Sequence, residues 1–133
     1  MDFISIRIIT ADVARLTDFY ERATGLPATR TTEDFAVLRT PTATLAIAST
    51  RTVPVFAPDS ARPADNHSVI IEFRVEDVDE VHRNLADLVD DFVTVPTTMP
   101  WGNRSMLFRD PDGNLVNFFT PVTPEAVARQ ERA

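Results

Sequence analysis

Phe108-Arg-Asp-Pro-Asp-Gly-Asn-Leu-Val-Asn-Phe-Phe119 reads as a β-hairpin. One apolar run ends at Arg109, the turn Asp110-Pro111-Asp112-Gly113 follows, and a second run begins at Asn114. Pro111 presets φ for the turn, and Gly113 accepts the positive φ that a tight turn often needs. A weaker copy lies 70 positions earlier, Leu38-Arg-Thr-Pro-Thr-Ala-Thr-Leu45, where Arg39, Pro41 and Leu45 match Arg109, Pro111 and Leu115. A second echo is offset by 65: Ile6-Arg-Ile-Ile-Thr-Ala-Asp12-Val13 against Ile71-Glu-Phe-Arg-Val-Glu-Asp77-Val78. Each copy is a strand running into an Asp able to cap a helix. Two echoes in the same order predict two similar halves, and an internal repeat decides the fold before any single residue does.

The rest of the chain fits that frame. Residues 3–9 alternate as a strand, with Ile4, Ile6 and Ile8 on one face and Phe3, Ser5, Arg7 and Ile9 on the other. Val13, Leu16, Tyr20 and Ala23 fall at helical spacing, and Gly25 stops the helix. A short strand over 27–32 and a hairpin of Phe35–Arg39 with Thr44–Ser49 close the first half. Residues 51–67, with Pro54, Pro58 and Pro63, read as a linker or surface loop. A strand over 68–75 follows, then a helix whose stripe is Val78, Val81, Leu85 and Leu88, opened by Asp77 and Glu80 as a capping box. Phe92–Val95 reads as a short strand, 96–102 as a loop, and 104–109 with 114–120 as the second hairpin. Thr123-Pro124 opens a C-terminal helix.

The predicted fold is therefore α+β: two βαβββ modules whose four-stranded antiparallel sheets form a cup with helices outside. The chain, 1–133, is taken as one domain, with module one over 3–50, a linker over 51–67, module two over 68–121 and a tail over 122–133.

Composition excludes several functions. A net charge of −7 and a pI near 4.7 argue against nucleic-acid binding, which needs a basic surface. The absence of Cys rules out disulfides, thiolate metal sites and Cys nucleophiles. No apolar stretch approaches the roughly 20 residues of a membrane span, and no signal segment stands at the start. The expected location is cytoplasmic.

Three motifs resemble the glyoxalase/bleomycin-resistance/dioxygenase superfamily, also called vicinal oxygen chelate. They are Arg7-x4-Asp12-x6-Phe19-Tyr20-x4-Gly25-Leu26, the Pro100-Trp101-Gly102 loop, and Asp110-Pro-Asp-Gly-Asn114 before the last strand. The resemblance covers residues 3 to about 121. It implies four metal-ligand positions in active members, usually His or Gln, Glu, His and Glu. Here these fall on Ser5, on Ala46 or Ile47, on Ile70 and on Asn117. None is a good ligand for a divalent cation, so no metal and no cofactor is expected.

The ligand-binding candidates are Ser5, Arg7, Glu72, Arg74, Trp101, Asn117 and Phe119. Arg7 and Glu72 occupy matching positions in the two halves. They read either as an ion pair between the modules or as contacts to a polar ligand. Arg74 is a rim charge or a second contact. Trp101, the sole Trp, is either a lid packed on a sheet edge or a flat surface for a planar ligand. Phe119, Phe56 and Phe3 are candidates for apolar lining, against core packing. Asp110 and Asp112 are explained by their turn. His67 reads as a strand-start residue near the surface, against a ligand or a catalytic base, and His82 as an exposed helix residue. Two function classes stay open. One is a metal-free protein that binds, and sequesters, an antibiotic or planar aromatic. The other is a metal-dependent or metal-free lyase, isomerase or dioxygenase. A homodimer is the expected assembly.

Overall fold

In the computed structural model, which describes residues 1–132, the chain divides into two compact units, Met1–Asn66 and the segment from His67 onward. Ala133, at the end of the predicted tail, lies outside the described residues.

The first unit runs β1 (Ser5–Thr10), α1 (Val13–Thr24), β2 (Thr29–Thr32), β3 (Phe35–Arg39), β4 (Thr44–Ser49), a 3-10 turn (Thr50–Thr52) and α2 (Val53–Phe56). Asp12 starts α1 by accepting the Arg15 N–H at 3.0 Å, and Gly25 ends it at φ 72°. Such a cap is worth about 1 kcal/mol. The sheet order is β1-β4-β3-β2. The long path through α1 sets β1 parallel to β4, while tight turns make the other pairs antiparallel. The core lies between α1 and one sheet face: Leu16 and Tyr20 are fully buried, as are Ala36 and Ile47, with Leu38 close behind.

The second unit repeats this plan: β5 (Ile70–Arg74), α3 (Val78–Asn84), β6 (Thr97–Thr98), β7 (Asn103–Arg109), β8 (Leu115–Pro121) and α4 (Pro124–Arg132). Its sheet order is β5-β8-β7-β6, again with the first and last strands parallel. Asp77 accepts from the N–H groups of Asp79 and Glu80, at 3.1 and 3.2 Å. Phe73, Phe108 and Phe118 meet edge to face, with centroids 5.4 and 5.0 Å apart, and form the core against α3. The predicted α+β fold of two βαβββ modules is observed, with each sheet mixed by its one parallel pair.

The hairpin that opened the sequence reading is closed by Asp110. Its Oδ1 accepts from the N–H groups of Asp112 and Asn114, both at 2.9 Å, and its Oδ2 accepts from Asn114 Nδ2 at 2.9 Å. Thr40 plays the same part in the first unit, with Oγ1 accepting the Ala43 N–H at 3.0 Å.

Several local expectations fail. Phe92–Val95 is not a strand: Phe92 makes one bridge to Phe108. The N–H groups of Val93 and Thr94 both turn to the Leu107 carbonyl, so no ladder can propagate. The strand of that region is Thr97–Thr98, inside the predicted loop. Residues 50–56, read as loop or linker, wind into helical turns, and Pro54 sits in the first turn of α2, where its missing N–H costs nothing. α3 ends at Asn84, and of its stripe Val78 and Leu85 are buried while Val81 and Leu88 are half-buried. No helix among the described residues is long and apolar enough to cross a membrane.

Candidate functional site

Strand alternation gives each sheet one face against its helix and one face turned away from it. In the first unit Arg30 marks the helix side: its Nη2 lies 2.8 Å from both Asp18 and Glu21 of α1. Register then places Ser5, Arg7 and Ile9 of β1 on the far face. Ala46 stands opposite Arg7 there, and Ala46 in turn pairs with Val37. The Arg7 guanidinium lies over two rings, 5.1 Å from the Phe35 centroid and 5.2 Å from that of Phe56, which α2 holds out at 74% exposure. Phe56 was expected to be core, with apolar lining as the alternative; here it is exposed and covers a cation.

In the second unit Arg104 marks the helix side through a bidentate pair with Asp79 of α3, at 2.7 and 3.0 Å. The far face therefore carries Ile70, Glu72 and Arg74 of β5, with Asn117 beside Glu72 and Phe119 beside Arg74. Asn117 Nδ2 donates to Glu72 Oε2 at 2.8 Å. Asn117 is itself buried, and its Oδ1 has no hydrogen-bond partner. Turning the amide over would set its oxygen against the Glu72 carboxylate, so the orphan acceptor follows from the charge on Glu72. A buried carbonyl without a donor costs about 1–3 kcal/mol, so it is a place where an N–H or O–H group from outside the chain would be stabilising. Arg74 also lines an open depression of about 410 Å³ with Val75, Glu76, Thr120 and Pro121.

Trp101 stands apart from these strands. Its loop is fastened by backbone: Gly102 N donates to Met99 O at 2.9 Å, and Trp101 O accepts from Arg129 at 2.8 Å. The indole is 58% exposed. Phe119 is buried and Phe3 is 82% exposed.

A family model described as the glyoxalase/bleomycin resistance protein/dioxygenase superfamily matches residues 3–118. The chain belongs to this superfamily. Solved structures agree in fold. A glyoxalase/bleomycin resistance protein/dioxygenase from Nocardioides is 19% identical, with TM-score 0.75, covering 93% of this chain and 85% of its own. A protein of unknown function from Agrobacterium tumefaciens is 24% identical, with TM-score 0.78, over 90% and 94%. A glyoxalase/bleomycin resistance protein/dioxygenase family enzyme from Burkholderia phytofirmans is 17% identical, with TM-score 0.78, over 92% and 100%. At these identities the likeness shows the fold alone. No curated protein matches the chain.

Superfamily membership raises the question of a metal, and the donor set answers it unit by unit. Arg7 pairs with Ala46 as Glu72 pairs with Asn117, so Ala46 is the counterpart of Asn117. Ile47 points to the α1 side and is fully buried. The positions that the resemblance implies for metal ligands are then Ser5 and Ala46 in one unit and Ile70 and Asn117 in the other. A methyl, a butyl chain, a hydroxyl and one neutral amide do not fit a divalent cation. Among the described residues no three His, Cys, Asp or Glu side chains group as a metal site.

His67 is exposed where the second unit begins. His82 differs from expectation: it is half-buried, with its ring edge-on to Phe92 at 4.9 Å, because α3 turns it toward the irregular stretch before β6. Sequence reasoning missed Phe35 and Arg39. The alternation of β3 could have found them, since Phe35, Val37 and Arg39 share the face of Arg7 once the hairpin register is fixed.

Proposed function

We propose that this chain is a metal-free member of the superfamily that binds a small, planar organic molecule on the far face of a sheet. Sequestration of an antibiotic or aromatic compound is the activity this serves. One observation carries the reading: where active relatives place metal ligands, this chain places Asn117, buried, tied to Glu72, and left with an acceptor that only an outside donor can satisfy. Arg74 and Phe119 stand on the same face as Asn117, Ser5 and Arg7 stand on the corresponding face of the first unit's own sheet, and Trp101 offers an exposed ring. Binding pockets for small molecules combine a mostly apolar lining with a few polar groups of this kind. The same reading takes the protein as a cytoplasmic homodimer, and light scattering that gave a monomer mass at every concentration would remove that part.

The test is a thermal-shift screen of planar aromatics and antibiotics, with and without Zn, Ni or Mn. A ligand of the folded state raises stability by RT ln(1 + [L]/Kd). At least one compound should raise the midpoint with concentration, and added metal should leave that rise unchanged. A rise with metal alone at near-equimolar amounts would sink the metal-free reading.

A further inference from the structure

We propose that the far face of the first unit's sheet is an anion subsite, where Arg7 receives the carboxylate of a planar aromatic acid. This rests on the ligand-binding reading above and names the class of ligand.

The chain carries a net charge of −7, yet no Asp or Glu stands on the four strands of the first unit. Three arginines do: Arg7, Arg30 and Arg39. Arg30 turns to α1 and is neutralised there by Asp18 and Glu21. Arg7 and Arg39 alternate to the opposite face, and among the described residues of this unit neither has an ion pair. The acidic residues of the unit stand on its helices, turns and loops, so the cationic face is a local departure from an acidic chain. An acidic protein gains nothing in solubility from such a face, whereas an anion gains a site.

The geometry around Arg7 suits a flat acid. Phe35 and Phe56 lie under the guanidinium at 5.1 and 5.2 Å, which holds it by cation–π attraction and takes none of its N–H donors. A guanidinium so held keeps the planar fork that matches a carboxylate bidentately. Ala46 stands beside Arg7 in register and Ala48 in the next row, and both are buried, so the sheet beside the cation is apolar and offers no competing charge. Ser5 and Thr44 pair with each other at the end where Arg39 adjoins Thr44, and they offer hydroxyl donors. The face thus holds donors and cations at its polar points and methyl groups and rings between them. A cationic ligand would find no carboxylate on these strands. A neutral one would leave the Arg7 charge without a partner.

The experiment compares 2-naphthoate with 2-naphthamide, equal in shape and different in charge, by calorimetric titration of the full chain at low and high salt. 2-Naphthoate should bind saturably, about tenfold or more tighter than the amide, as a charge-assisted hydrogen bond implies. High salt should narrow the gap. Arg7→Ala should erase the preference for the acid, and Arg7→Lys should keep only part of it because the fork is lost. In the unmutated protein the Arg7 Nε–Hε resonance should shift on titration with 2-naphthoate, which holds even if a variant fails to fold. Equal affinity for acid and amide, an acid that binds without moving the Arg7 resonance, or no saturable binding of 2-naphthoate would each overturn the proposal. A neutral or cationic hit in the thermal-shift screen would then leave the ligand-binding reading standing. Only a screen with no hit removes both.

Discussion

Replacing Gly102 with Ala tests whether α4 holds the Trp101 loop in place. Gly102 sits at φ 92°, and its carbonyl accepts from the N–H groups of Val122 and Thr123 at 2.9 and 3.3 Å. A Cβ added there would overlap Thr123 Oγ1 and stand 3.0 Å from the Ala126 Cβ. Thr123 Oγ1 is not free to retreat, because it caps α4 by accepting the Ala126 N–H at 3.2 Å, and Ala126 is fully buried. The left-handed backbone alone costs a non-glycine residue about 1–2 kcal/mol. Losing the cap adds about 1 kcal/mol, and crowding Ala126 adds at least about 1 more. The expected loss is on the order of 4 kcal/mol by urea denaturation. Gly25 and Gly113 provide the control: their φ values are 72° and 84°, and an added Cβ at either meets nothing within 4 Å. Each Ala variant there should cost only the backbone share, about 1 kcal/mol. Trp101 emission in the Gly102→Ala variant should shift before global unfolding. If Gly102→Ala falls within about 1 kcal/mol of the two controls, the loop is not clamped to α4 and the reasoning is wrong.

Asp110→Ala strips the acceptor from two backbone N–H groups and from the buried Asn114 amide, and should cost about 2–3 kcal/mol by the same denaturation assay. Phe118→Ala empties the aromatic core of the second unit and should cost about 3–5 kcal/mol by calorimetry. Phe56→Ala, at a ring 74% exposed, should change stability by less than about 0.5 kcal/mol. The Arg30 hydrogen bond, with the Ala28 N–H, holds the Glu21 carboxyl below its usual value; Ser49 and Arg51 do so for Asp34, and Arg104 for Asp79. A carboxyl lowered in the folded state stabilises above its unfolded pKa and loses that contribution as pH falls through the folded one. The melting temperature should therefore be flat down to about pH 5 and drop below about pH 4, with a smaller drop in Asp79→Asn.

What the sequence disclosed follows from how each feature is encoded. α1 and the two hairpins were legible because local rules decide them: an Asp that caps, a Gly that ends a helix, a four-residue turn between alternating strands. The stretch from Asp91 to Gly102 was not, because tertiary hydrogen bonds decide it. Leu107 takes two N–H groups on one carbonyl and gives its own N–H to Thr94 Oγ1, which no period in the sequence announces. α2 was missed because four residues are too few to show helical spacing. Among site residues, the faces of Ser5, Arg7, Glu72, Arg74 and Asn117 followed from alternation alone. The bond between Glu72 and Asn117 and the rings under Arg7 needed the register between distant strands, which the sequence held only as an echo.

The repeat also separates what the fold needs from what a ligand would need. Register pairs each position of the first unit with one in the second through equivalent strand neighbours. On the helix sides the pairs keep their character: Ile6 with Ile71, Ile8 with Phe73, Leu45 with Val116, Ile47 with Phe118. Packing against a helix demands apolar volume at each, and both units meet that demand. On the far faces Arg39 matches Arg109, but the pairs on the two parallel strands differ in kind or size: Ser5 with Ile70, Arg7 with Glu72, Ile9 with Arg74, Ala46 with Asn117, Ala48 with Phe119. Packing against α1 or α3 cannot select these residues, since they point away from both helices. The Arg7 guanidinium lies over two rings and the Glu72 carboxyl accepts from an amide, so the same backbone slot presents a donor in one unit and an acceptor in the other. The first unit's face then suits an anion and the second unit's face an N–H or O–H donor, each argued within its own unit.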